Sequence, residues 1–279
     1  MKKAMFGLAA VALCAAMTSV GAERAVWSYE NPMPVFNSKE RGDGPMRTLW
    51  TMENRMPGAL GVEVGVGGMG VPMATPDNPE ADDASVWKAG LGLRMGLLDD
   101  FALSATIPAT GWKIDGGGSE SGFGDVELGL QYRFWEDIFD YAWFIPHANV
   151  SFPTGDEDKG LGTGNVDGRF GLSAGTTVAD VWHFAADVSW VAKDFGDDAD
   201  DGAVQAALSL IFDLDEQASI VAEGSYLDYA LDPDESGTVS GHVGLAYDFS
   251  TRLSMLMFLG ATTGSGDGAY GGGHLVFSL

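Results

Sequence analysis

The sequence predicts an all-β protein: a transmembrane, antiparallel, up-and-down β-barrel of about 12 strands, with short periplasmic turns and longer acidic extracellular loops. Three observations predict it. Segments whose side chains alternate between polar and apolar recur from residue 58 to the end of the chain. The links between these segments alternate short and long. The chain opens like an exported protein, yet no later stretch reaches the roughly 20 apolar residues that a spanning helix needs.

The opening is Met1-Lys2-Lys3, then an uncharged run over residues 4–17, then Val20-Gly21-Ala22. A charged start, an apolar stretch and small residues at the minus-3 and minus-1 positions define a signal peptide over residues 1–22. The one cysteine, Cys14, falls inside it. The exported chain therefore relies on no disulfide. Loss of Lys2 and Lys3 moves the net charge from −25 to about −27. That charge argues against nucleic acid and against anionic lipid as partners, and favours cations or neutral molecules. A hydrophobic share of 46% rules out a disordered acidic chain.

Twelve alternating segments follow: 58–70, 84–96, 101–112, 123–135, 141–152, 165–178, 181–193, 203–214, 217–228, 238–249, 252–263 and 269–279. Each is near the 9–11 residues of a tilted membrane strand or slightly longer, and an even number suits a single-chain bacterial barrel. The short links are Leu97–Asp100, Glu136–Asp140, Ala179–Asp180, Asp215–Glu216 and Ser250–Thr251. The longer ones are 71–83, 113–122, 153–164, 194–202, 229–237 and 264–268, and they hold many of the acids. A soluble Greek-key sandwich has no reason for this rhythm.

The alternation assigns faces. In 123–135, Val126, Leu128, Leu130, Tyr132 and Phe134 oppose Asp125, Glu127, Gln131 and Arg133. In a membrane barrel the apolar set faces lipid and the polar set faces the lumen. The same split puts Phe170 and Leu172 against Asp167 and Arg169, and Trp182, Phe184, Val188 and Trp190 against His183 and Asp187. Aromatics near strand ends, such as Trp182, Trp190, Tyr226, Tyr247 and Phe249, suit interfacial girdles. In 252–263, Leu256 and Phe258 fall on the inward face, which marks an apolar part of the lumen. The last strand carries Leu275, Phe277 and Leu279 on one face, like the assembly signal of outer-membrane proteins, with Leu instead of the usual terminal aromatic.

Residues 23–57 lack clean alternation and leave three readings open: a periplasmic extension, a partial plug or a further strand pair. The barrel itself is expected over 58–279. Candidate lumen-lining residues are Glu63, Lys88, Arg94, Asp125, Glu127, Gln131, Arg133, His147, Asp167, Arg169, His183, Asp187, Glu223, His242, Asp248, Arg252 and His274. Mixed charges on a lumen wall brace the barrel, narrow the bore and orient polar solutes.

Three patterns mimic other chemistry. Gly65-Val66-Gly67-Gly68-Met69-Gly70 matches G-x-G-x-x-G, but Val71-Pro72 follows where the dinucleotide motif needs a helix. The acids at 197–201 fail the EF-hand pattern at Ala199 and Leu208. His147, Asn149 and Ser151 share a strand face, but residues two apart along a strand stand nearly 7 Å apart at their bases, too far for an easy Ser–His bond. The four histidines are spread over four strands, so no metal or cofactor is expected.

Three stretches carry a family resemblance. Met56-Pro57-Gly58-Ala59-Leu60-Gly61-Val62-Glu63 precedes the first strand, Gly122-Phe123-Gly124-Asp125 opens the fourth segment, and Phe152-Pro153-Thr154-Gly155-Asp156 leads a loop with trailing glycines. They resemble the MetA-pathway phenol-degradation ("transporter") family of bacterial outer-membrane β-barrel proteins. The resemblance implies a channel for small hydrophobic or aromatic compounds and supplies no catalytic residues. The expected function is passive uptake across the outer membrane of a Gram-negative bacterium. The alternatives are a closed structural or surface-interaction barrel and a lipid-modifying barrel enzyme. Expected partners are outer-membrane lipid and lipopolysaccharide, the barrel-assembly machinery and a small solute.

Overall fold

The structure, a computed structural model, describes residues 46–53, 55–73, 84–114, 117–133, 135–138, 142–179, 181–192, 202–228, 237–263 and 268–279. The signal peptide expected over 1–22, residues 23–45 and most of the longer links lie outside the described residues. The elements are β1 (Val62–Met73), β2 (Ala84–Leu98), β3 (Phe101–Ile114), β4 (Ser119–Phe123), β5 (Val126–Tyr132), β6 (Trp135–Ile138), β7 (Ala142–Phe152), β8 (Asp167–Val178), β9 (Trp182–Ala192), β10 (Gly202–Asp213), β11 (Ala218–Asp228), β12 (Thr238–Ser250), β13 (Leu253–Thr263) and β14 (Gly268–Ser278).

All ladders are antiparallel and run between neighbours in the chain. β1 then pairs with β14, from Glu63↔Ser278 to Met73↔Gly268, and closes the sheet. β4, β5 and β6 follow one another along a single stave: β4 pairs with β3, β5 with β3 and β7, and β6 with β7. The result is a closed barrel of twelve staves, in which β4 and β6, at the two ends of their stave, are each paired on one side among the described residues. The segment expected as one strand over 123–135 differs in this detail. Its ladder breaks at Gly124 and Asp125, where the Gly124 N–H turns to the Pro108 carbonyl at 2.9 Å.

The faces are those of a membrane barrel. Leu91, Leu128, Leu172, Val188, Leu208, Val243 and Leu259 are exposed on the outside, while Arg94, Gln131, Ser173, Asp187, Ser209, His242 and Phe258 are buried inside. Between the two faces the side-chain period of 2 does all the sorting. Trp182 and Phe212 stack on the outer face at a centroid distance of 4.3 Å, near the short-turn end, where an interfacial girdle belongs. Phe134 and residues 139–141 lie outside the described residues.

Candidate functional site: a filled barrel interior

Residues 46–53 and 55–57 do not pair with the barrel; they are buried within it. The inner segment joins β1 at the short-turn end. There the Gly58–Gly61 turn sits against the end of β2, with the Leu60 N–H donating to the Gly96 carbonyl at 2.8 Å. A compact turn forms farther in, where the Thr48 hydroxyl donates to the Thr51 carbonyl at 2.7 Å. Arg47 and Glu53 brace its base, with Nη2 and Oε1 at 3.1 Å.

Glu223 on β11 grips this turn. Its carboxylate accepts the N–H groups of Leu49, Trp50 and Thr51, the latter two at 3.3 Å, and the Thr51 hydroxyl at 3.3 Å. Several backbone donors converging on one carboxylate satisfy groups that would otherwise be buried without partners. Ser209 bonds the Thr51 hydroxyl at 2.8 Å and Ser173 accepts the Met52 N–H at 3.0 Å. Arg169 donates to the Trp50 carbonyl at 3.3 Å, and Arg94 to the Arg55 carbonyl at 3.0 Å. At the base, Arg47 donates to Asp213 and, at 2.6 Å, to Ser219.

The wall residues form linked sets. Glu63 and Arg94 are ladder partners whose charged groups stand 3.6 Å apart, and Arg94 also donates to Gln131 at 2.6 Å. Gln131 in turn reaches the Met52 sulfur at 3.3 Å. Asp187 collects His147 at 2.6 Å, Ser173 at 2.5 Å, Arg169 at 3.2 Å and Ser189. Glu223 and His242, also ladder partners, lie 3.2 Å apart. His183 bonds Asp213 at 2.8 Å, so both stand beside Arg47. Lys88 and Asp167 are buried farther toward the long-loop end, and Lys88 and Arg169 both act electrostatically on Glu127. His274 is buried on β14, in contact with the Met46 backbone.

Four sequence-expected lining residues have different settings. Arg252 is exposed in the turn between β12 and β13, because β13 starts one residue later, so it lies outside the lining. Arg133 follows the end of β5 and pairs with Asp100 of the β2–β3 turn at 2.6 Å, at the rim. Asp248 is half-buried near the end of β12 and accepts the Ser254 hydroxyl at 2.5 Å. Asp125 holds a loop: at the break between β4 and β5 it accepts the N–H groups of Gly155 at 2.8 Å and Thr163 at 2.7 Å. Thr154 adds bonds to the Gly124 carbonyl and the Val126 N–H at 3.0 and 2.9 Å. Trp112 donates to the Lys159 carbonyl at 2.8 Å. The two motifs that lie about 30 residues apart in sequence thus form one structure.

Sequence reasoning did not single out Arg47 or Glu53, and alternation put Asp213 on the polar face of 203–214 without marking it as a lining residue. Arg47 and Glu53 sit in a stretch without periodicity, so nothing gave them a face. Their spacing and opposite charge were the available signal.

The interior holds one apolar cluster beside polar networks. Met69, Val86, Ala207, Ile211, Val221, Ala246, Leu256, Phe258 and Tyr270, from β1, β2 and β10 to β14, pack with Leu49 and Trp50. The ion pairs lie next to it, Arg169–Asp187 and His147–Asp187 on β7 to β9 and Glu63–Arg94 on β1 and β2. A closed antiparallel sheet, apolar outside and filled with polar and aromatic side chains inside, is a transmembrane β-barrel of the outer-membrane type. The chain belongs to the family described as "Putative MetA-pathway of phenol degradation", whose model matches residues 86–255. Its fold is similar to an outer-membrane channel from Pseudomonas putida F1, with a TM-score of 0.62 at 14% identity over 82% of this chain and 98% of that one. It is also similar to the NanC porin (TM-score 0.55, 10% identity, 79% and 100% coverage) and to the KdgM porin (TM-score 0.52, 12% identity, 78% and 99% coverage). At these identities the likeness is one of fold. No curated protein matches the sequence significantly.

Proposed function

We propose that this protein is a channel for passive uptake of small molecules, aromatic or hydrophobic rather than anionic, and that residues 46–56 close it. The observation that carries the reading is the filling of the interior, an apolar cluster beside polar networks, by a segment that is not part of the barrel wall. A stave strand cannot leave without breaking its ladders, whereas the described residues of this segment are gripped by wall side chains such as Glu223, Ser173, Arg169 and Arg94. An apolar cluster with ion pairs and hydroxyls beside it suits a solute with an aromatic body and a polar tip. The net charge of −25 disfavours anions. The family's description supports aromatic solutes. In this reading the signal over 1–22 exports the chain to the outer membrane of a Gram-negative cell. The assembly machinery reads β14, and lipid and lipopolysaccharide surround the outer face.

Planar-bilayer recording tests the channel. Mature protein is expected to give small or infrequent steps, and a variant lacking residues 23–56 larger, steady ones. Absence of steps in both overturns the reading. One observation favours a second reading, a permanently closed barrel: Glu63, Arg94, His147 and Asp187 are only 1–3% exposed. The same recording decides between the two.

A further inference from the structure

Trp50 fills a site built of rings. Its indole lies 4.7 Å from the His242 ring at 56° and 6.4 Å from the Tyr270 ring at 73°. Phe258 stands 5.1 Å from His242 and 6.3 Å from Tyr270, so rings from β12, β13 and β14 form one aromatic wall. The wall depends on Gly260, where a Cβ would come within 2.5 Å of the Tyr270 ring.

The backbone of the same residue is fastened separately, to Glu223, the ladder partner of His242, and to Arg169. The Trp50 N–H donates to Glu223 and its carbonyl accepts from Arg169. Its neighbours Leu49, Thr51 and Met52 donate to Glu223 and Ser173. The two attachments differ in kind. Ring packing is tolerant of chemical identity, and another ring in a similar tilted or edge-on pose replaces it with little loss. A buried N–H deprived of its acceptor has no such substitute.

We infer that the His242–Phe258–Tyr270 wall is a binding site for a neutral aromatic solute, which Trp50 occupies from within the chain. The solute ring exchanges for the indole while the backbone of residues 49–52 stays fastened to Glu223 and Ser173. The Tyr270 hydroxyl and His242 Nδ1, 3.4 Å apart, offer the solute one polar contact at the ring edge. Use of this site in transport rests on the channel reading above; the existence of the site does not.

The test uses the full mature protein, Trp50→Ala and indole as the probe. Removing the side chain leaves an apolar cavity of indole shape, and such cavities bind aromatic molecules. Equilibrium dialysis in one detergent should show Trp50→Ala binding indole at least about tenfold more tightly than the parent. Adding Phe258→Ala should reduce that affinity about tenfold. Heat-modifiable gel mobility identifies folded variants, and Trp50→Phe with benzene as probe replaces the alanine variant if it does not assemble. In bilayers, Trp50→Ala should conduct more than the parent, and indole should reverse the gain. Indole binding no tighter than in the parent overturns the inference, whether or not the protein conducts. Tight binding with no conductance, even in the variant lacking residues 23–56, supports the site and overturns the channel reading.

Discussion

His147 on β7 and Asp187 on β9 meet at 2.6 Å although β8 runs between them. The register explains the reach: His147 is opposite Gly171, and Gly171 is opposite Ser189. A Cβ on Gly171 would lie 2.5 Å from His147 Nε2 and 2.3 Å from Ser189 Oγ. Gly171→Ala should therefore destabilise the barrel by about 1–3 kcal/mol, the usual cost of overpacking. Gly70→Ala, where nothing lies within 4 Å of the new atom, is the control. Urea unfolding in lipid reads both. Equal midpoints would show that the bridge over β8 contributes nothing.

Leu128 and Gln131 stand three residues apart on opposite faces, one exposed outside and one buried inside. Leu128→Arg should cost about 2–4 kcal/mol if the site is near the bilayer midplane. Gln131→Glu should assemble normally, because Arg94 already donates to that position. Folding yields into vesicles measure both. A tolerated arginine at 128 would refute the outward assignment.

Period-2 sorting made all twelve staves and both faces legible in the sequence, because lipid and lumen are the two environments a strand residue can meet. Even the departure at Leu256 and Phe258 was readable, and both belong to the apolar cluster of the interior. The packing was not readable. Alternation treats position 131 as merely polar, whereas Arg94 beside it makes the sign of a new charge matter. The turn at 48–51 carries no period, since its residues answer to Glu223, Arg169 and Ser173 from distant strands. The loop motifs were recognisable as patterns, but nothing local in Gly124-Asp125 announces Thr163 as its partner.

That partnership predicts a second behaviour. Asp125 accepts two backbone N–H groups and the Thr163 hydroxyl, the last at 3.2 Å. Asp125→Ala removes three contacts to a charged acceptor, and the net loss of even one is worth about 1.5–3 kcal/mol. The loop that carries Lys159 should open more often, and trypsin should cut there roughly tenfold faster, since cleavage tracks the open population. Digestion of folded protein, followed by mass spectrometry of the fragments, provides the measurement. An unchanged rate would mean that Trp112 and Thr154 hold the loop without Asp125.

Glu223 should decide how firmly the inner segment stays in place. Glu223→Ala would strand the N–H groups of Leu49, Trp50 and Thr51 and also remove the partner of His242. Hydrogen bonds to a charged group are each worth about 1.5–3 kcal/mol, so losing even one net bond raises the released population about tenfold or more. Trypsin should then cut after Arg47 and Arg55, which are buried in the parent. Glu223→Gln keeps one acceptor oxygen and should give a smaller increase. Arg47→Ala offers a separate route to the same release, because it frees the base of the turn from Asp213 and Ser219 without touching its apex. If Glu223→Ala leaves Arg55 as protected as in the parent, the anchors at Ser173, Arg169 and Arg94 suffice, and Glu223 serves the wall rather than the segment.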